Sequence, residues 1–222
     1  MPRTARGWSD GGTYHVLTRG NNRQPVFHIP ADFQRYLHRL VEVANDHQLT
    51  VLHFALMPNH VHLVIRVVEG PRLSRAMLSL NLAYALYYRN RYHYAGHLWQ
   101  GRFKCLPIET DAHLLACGRY IELNPVRAGL ADAPHSYLWT SYRAYAEGLA
   151  VPPVISTAHP GYLTLGSTPQ ERQVAYRQLV REELTRRDAP CAPWHHSHGI
   201  CRQHVKPPRP AFMHAASREV SP

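Results

Sequence analysis

The chain has 222 residues, 18% of them charged and with a formal net charge of +10; it is long enough to bury a genuine core, and its composition excludes a wholly disordered chain. Arg greatly outnumbers Lys, a balance that suits planar, bidentate phosphate recognition and favours polyanionic partners, nucleic acid first. No secretory signal or membrane span is visible and the cysteines form no C-x-x-C pair, which predicts a cytoplasmic protein with no membrane partner.

Residues 13–19, Thr-Tyr-His-Val-Leu-Thr-Arg, alternate as a first strand, and Gly20-Asn21-Asn22-Arg23 ends it with turn formers. From Ala31 the period changes: Phe33, Leu37, Leu40, Val41 and Ala44 fall on one helical stripe behind Pro30. Residues 49–56 predict a second strand, and after Met57-Pro58-Asn59 a third runs from His60 to Val67 as the return of an antiparallel hairpin. Gly70-Pro71 opens a long helix with Leu73, Ala76, Met77, Leu80, Tyr84 and Tyr87 as its core stripe. Its end turns basic and aromatic, through Tyr88, Arg89, Arg91 and Tyr92 to Trp99, Arg102, Phe103 and Lys104. Such interleaving offers stacking faces for bases and charges for phosphates, and equally fits ordinary amphipathic packing.

Residues 103–109 predict a fourth strand. The order strand, helix, strand, strand, helix, strand is that of an α+β, ferredoxin-like split βαβ fold with an antiparallel sheet, which has helices on one face and can leave the other open for His60 and His62 to work on. A helix from Asp111 to about Leu123 follows, stopped by Asn124-Pro125 because proline disfavours the α region for the residue before it. Thr168-Pro169-Gln170-Glu171 has a capping-box look and opens a helix to about Arg187. Beyond Asp188 the chain is crowded with Cys, His and Pro in spacings that fit no standard zinc finger.

On a strand, His60 and His62 share one face, roughly 7 Å apart. Two neutral imidazoles on a rigid strand can grip one ion, although a lone His-x-His also fits two structural histidines. Tyr120 and Asn124, four apart, share one side of their helix, a spacing that equally fits a buried tyrosine and a helix-ending asparagine.

Tyr14-His15-Val16, Arg19-Gly20-Asn21-Asn22-Arg23, Met57-Pro58-Asn59-His60-Val61-His62-Leu63, Leu98-Trp99-Gln100-Gly101-Arg102-Phe103-Lys104, the block from Arg119 to Gly129, and Trp139-Thr140-Ser141-Tyr142 together resemble the single-tyrosine HUH transposases, in particular their REP-associated branch. The resemblance runs in order over about residues 10–148. It implies that His60, His62 and Asn124 are metal ligands for Mg²⁺ or Mn²⁺ and that Tyr120 is the nucleophile. The implied activity is cleavage and rejoining of single-stranded DNA at hairpin-bearing ends through a 5′-phosphotyrosine, by a monomer or homodimer. An imidazole and amide donor set without thiolate, with positions left for phosphate and water, is chemically consistent with those ions. Arg19, Arg23, Arg102 and Lys104 are candidate DNA contacts.

The organisation expected is a catalytic domain over 1–148, a helical extension over 149–187 and a disordered basic tail over 188–222. Two rival readings are a catalytically idle hairpin-DNA-binding protein and a nicking enzyme of the replication-initiator or relaxase kind. The first requires the loss of a catalytic group, and none is lost; the block from Arg119 to Gly129 argues against the second.

Overall fold

The computed structural model describes residues 8–150, 155–156 and 159–185, so the Cys- and His-rich stretch beyond Asp188 lies outside the described residues. The elements are β1 (Thr13–Arg19), α1 (Pro30–Asp46), β2 (Leu49–Met57), β3 (His60–Val67), α2 (Gly70–Tyr92), β4 (Lys104–Ile108) and α3 (Asp111–Arg127). The strands form one antiparallel sheet in the order β2-β3-β1-β4, so β3 is inserted between β1 and β2. This is the α+β split βαβ arrangement that the period changes predict.

Alternation along the strands fills two separate cores. Val61, Leu63 and Ile65 of β3 pack with Phe33, Tyr36, Leu37 and Leu40 of α1 and with Leu73, Met77, Leu80 and Tyr84 of α2. The start of α1 is tied to α2 by Asp32, fully buried, which accepts from the backbone N–H groups of His28 and Ile29 and from the hydroxyls of Tyr87 and Tyr92 at 2.8 and 2.6 Å. On the opposite face Leu52, Ala55 and Val64 pack with Leu114, Cys117, Tyr120 and Ile121 of α3.

Two expectations are corrected here. The second face of the sheet is not open: α3 lies on it, because Leu114, Cys117 and Ile121 form an apolar stripe at helical spacing that must be buried. Nor does α3 stop before Asn124-Pro125. It runs through Pro125 to Arg127, although proline removes one donor from the ladder. Leu123 and Pro125 are both buried, and the Ala128 and Leu130 N–H groups bond the Asn124 and Pro125 carbonyls, so tertiary packing and a continued turn outweigh the local preference.

Three further helices, α4 (Tyr142–Glu147), α5 (Pro160–Leu163) and α6 (Pro169–Thr185), close over the back of α3. The capping box of α6 is present, with Thr168 Oγ1 accepting from the Glu171 N–H and the Glu171 carboxylate accepting from the Thr168 N–H. The elements meet around a buried polar network. Glu122 of α3 accepts from Tyr176 of α6 at 2.7 Å and from the Ser141 hydroxyl, and its Oε1 lies 2.9 Å from His53 Nδ1.

His53 Nε2 in turn lies 3.2 Å from His159 Nε2, and His159 Nδ1 accepts from the Tyr162 N–H. Only one proton arrangement with two neutral imidazoles satisfies every contact: His159 donates from Nε2 to His53, and His53 donates from Nδ1 to Glu122. The His53 ring stacks on Tyr145 at 4.2 Å between centroids, and Gly118 approaches its other side so closely that a Cβ there would fall 2.4 Å from the ring.

Candidate active site

The register of β1 on β3 places His60 opposite Arg19, His62 opposite Leu17 and Val64 opposite His15, so Arg19, Leu17 and His15 point to the same face as the His pair. This is the face that α3 covers. His60 and His62 stand 4.9 Å apart between ring centroids, and the Tyr120 ring, delivered by α3, lies 6.4 Å from His62 and perpendicular to it. Asn124 sits one turn after Tyr120, and its amide nitrogen donates to the Tyr120 carbonyl at 3.2 Å. That bond holds the side chain against its own helix through the amide nitrogen and does not engage Oδ1.

The end of the sheet that carries His60 is fixed by three turns. The Gly20 N–H bonds the Asn59 carbonyl, the Val26 N–H bonds the Pro58 carbonyl, and the Gln100 N–H bonds the Arg19 carbonyl. Gly20 is required there, since a Cβ would meet the Gln24 carbonyl oxygen at 2.3 Å. Asn22 and Arg23 turn the chain with positive φ of 49° and 60°. The sequence blocks at residues 19–23, 57–63 and 98–104 therefore converge on one point.

Both histidines are oriented through Nδ1. Asn59 Nδ2 donates to the Arg23 carbonyl, which assigns Asn59 Oδ1 as the acceptor that lies 2.6 Å from His60 Nδ1. His60 then carries its proton on Nδ1 and its lone pair on Nε2. His62 Nδ1 lies 2.9 Å from Nε2 of the buried His15, and a proton on that Nδ1 likewise leaves Nε2 of His62 as the ligand nitrogen. Rings anchored at one nitrogen by a second set of residues are what a metal site requires. The donor set, two Nε2 atoms and an amide oxygen, thus fits a divalent ion.

Burial pushes the Tyr120 phenol up to about 12, Arg127 pulls it back, Cys117 adds to the rise, and Arg19 again opposes it. The Arg19 guanidinium is itself held below its usual range, first by burial and then by Arg23, with Tyr120 acting in the other direction. Of the four candidate DNA contacts, Arg19 thus stands within the site. Lys104 opens β4 opposite Leu17, on the same face and exposed, and Arg23 and Arg102 are exposed on the neighbouring turns. The sequence reading did not assign Asn59, His15 or Arg127, although His15 is legible as the i−4 member of the strand alternation that includes Arg19.

Residues 9–124 match the model of the family described as "Transposase IS200 like". The chain belongs to that family. No curated protein matches it. Among solved structures, the chain is similar to the REP-associated tyrosine transposase bound to a REP hairpin, with 17% identity, a TM-score of 0.55, and coverage of 72% of this chain and 91% of that one. It is also similar to a protein of Deinococcus radiodurans R1 assigned as a transposase, with 21% identity, a TM-score of 0.38, and coverage of 55% and 96% of the two chains. The first likeness supports the fold. Among the described residues no helix is long and apolar enough to cross a membrane.

Proposed function

We propose that this IS200-like transposase family member cleaves and rejoins single-stranded DNA at hairpin-bearing ends, as in the REP-associated branch, with Tyr120 as nucleophile and with His60, His62 and Asn124 holding Mg²⁺ or Mn²⁺. The observation that carries the reading is the perpendicular approach of Tyr120 to His62 at 6.4 Å within one chain, with Asn124 one turn away. A bound divalent ion supplies Lewis-acid polarisation of the scissile phosphate. The residues of the chain do the rest. Tyr120 Oη attacks phosphorus and the 3′-oxygen leaves, producing a 5′-phosphotyrosine and a free 3′-hydroxyl. A phenol held near 12 is largely protonated at neutral pH, so Arg127 and Arg19 contribute by favouring its anion. The covalent link conserves the phosphodiester, so rejoining requires no nucleotide.

Residues 1–148 act as the catalytic domain in this reading and 149–187 as a helical extension braced on it. The 6.4 Å between the His62 and Tyr120 rings of one chain favours a site assembled within a monomer. Arg19, Arg23, Arg102 and Lys104 then follow the backbone of the strand around the His60 end of the sheet.

The test is a denaturing-gel assay of the purified chain with 5′- and 3′-labelled single-stranded hairpin DNA, in Mg²⁺, Mn²⁺ or EDTA, beside Tyr120→Phe. A metal-dependent covalent adduct that disappears in Tyr120→Phe is expected. Folded wild-type protein that binds hairpins and never forms an adduct would transfer the reading to an idle DNA-binding protein.

A further inference from the structure

Arg127 lies outside the set of residues that the site was assembled from. It stands seven positions after Tyr120 on α3, so Tyr120, Asn124 and Arg127 form one i, i+4, i+7 face of the helix. This face exists only because α3 continues through Pro125. The guanidinium carbon of Arg127 lies over the Tyr120 ring, 5.4 Å from its centroid.

A second element fixes that position. Glu183 of α6 accepts from Arg127 on Oε1 at 2.8 Å and from Arg119 on Oε2 at 3.0 Å, with all three side chains partly buried. One carboxylate shared between two guanidiniums leaves positive charge in excess beside the tyrosine. A guanidinium has five N–H donors in a rigid fork, and Glu183 engages one of those of Arg127, so donors remain for an anion.

We propose that Arg127 is a catalytic residue of the tyrosine site, its guanidinium stabilising the negative charge that passes between Tyr120 Oη and the phosphoryl group, and that Glu183 is the positioning residue that holds it there. The proposal rests on Tyr120 being the nucleophile. In the forward step the Oη–P bond forms, the P–O3′ bond breaks, the phenol proton passes to solvent and the departing 3′-oxygen takes up a proton. In the reverse step the 3′-hydroxyl attacks and the phenol is released. Arg127 exchanges no proton or electron pair, so the same contact assists the forward and the reverse step. Its ring contact keeps it in place while no phosphate is bound.

The experiment is a single-turnover measurement of adduct formation and of rejoining in Mn²⁺, with a labelled single-stranded hairpin carrying randomised flanks. Wild type, Tyr120→Phe, Arg127→Gln, Arg127→Ala, Arg127→Lys, Glu183→Gln and the Arg127→Gln/Glu183→Gln double variant are compared. Removing one pre-placed donor from developing charge slows a step by roughly 100-fold. We expect Arg127→Gln to slow adduct formation and rejoining by about that factor, with the midpoint of thermal unfolding retained. Added guanidinium ion should restore part of the rate to Arg127→Ala, an effect a structural ion pair would not produce. Arg127→Lys should fall between wild type and Arg127→Gln, because it keeps the charge and loses the fork. Glu183→Gln should slow the wild type several-fold and the Arg127→Gln background not at all.

Wild-type rates in Arg127→Gln would overturn the proposal, as would slowing without guanidinium rescue in Arg127→Ala. If Arg127→Gln fails to fold, Arg127→Lys and Glu183→Gln carry the test, and wild-type rates in both would overturn it. Absence of an adduct in the wild type, or an adduct that persists in Tyr120→Phe, would instead remove the reading beneath the proposal.

Discussion

His159 is fully buried behind α3, and burial drives its imidazole from the ordinary 6.5 down to about 3, with the Arg66 charge acting in the same direction. The groups that face it are His53 of β2, the Tyr145 and Tyr162 rings of α4 and α5 and, one contact further, Glu122 of α3. The proton arrangement leaves His159 no room for a second proton, because Nδ1 already accepts from the Tyr162 N–H. A folded value below the unfolded one means that the neutral ring stabilises the native state. That contribution is complete above about pH 6.5 and is lost as pH falls from there toward 3. Between pH 7 and pH 5 the loss is about 2 kcal/mol, roughly a 30-fold shift in the folding equilibrium. Urea unfolding followed by tryptophan fluorescence at both pH values measures it. His159→Gln, which keeps an amide donor toward His53 and cannot titrate, should be less stable at pH 7 and should lose about 2 kcal/mol less than wild type on acidification. Equal losses in the two proteins would refute the assignment of the neutral ring.

Gly118→Ala should destabilise the protein by about 1–3 kcal/mol, since the new methyl meets the His53 ring at 2.4 Å and neither the ring nor α3 can withdraw; the thermal midpoint reads it directly. Asn59→Ala removes the acceptor that fixes the proton of His60, and Mn²⁺ affinity by calorimetry should fall by roughly 10- to 100-fold with little change in the unfolding midpoint. Arg102→Ala should weaken hairpin binding across sequences and reduce the slope of log affinity against log salt by about one unit, while an unchanged slope would remove Arg102 from the DNA contacts. Asp32→Asn should cost about 2–4 kcal/mol in chemical unfolding, because an amide cannot accept from four donors at once.

The sheet and its register were legible because each strand obeys one rule. Alternation put Val61, Leu63 and Ile65 on one side and His60 and His62 on the other, and the structure fills the first side with α1 and α2. The expectation for α3 failed at a point where a local rule met tertiary packing. Asn124-Pro125 reads as a stop, and the burial of Leu123 and Pro125 carries the helix past it. The error had a functional consequence, since a helix that ends at Leu123 places Arg127 in a loop with no defined relation to Tyr120. Long-range partners were not legible either. No periodicity tells Asn59 that it will face His60 Nδ1, or Glu122 that His53, Ser141 and Tyr176 will surround it.

In the proposed reading α3 carries the nucleophile, and those long-range contacts bear on how precisely it is held. Its front face holds Tyr120 and Asn124 against the sheet, while residues of α6 grip its back at Glu122, its flank at Arg119 and the end of the Tyr120 face at Arg127. A helix clamped on the sheet side alone could roll about its axis, and a 20° roll would move a side-chain tip some 8 Å from that axis by about 3 Å, enough to remove a phenolic oxygen from attack distance. The grips from α6 act at three positions within nine residues, on both sides of Tyr120. On the proposed reading, Tyr176 and Glu183 of α6, outside the stretch that matches the family, help to fix the axial rotation of α3 and with it the position of Tyr120.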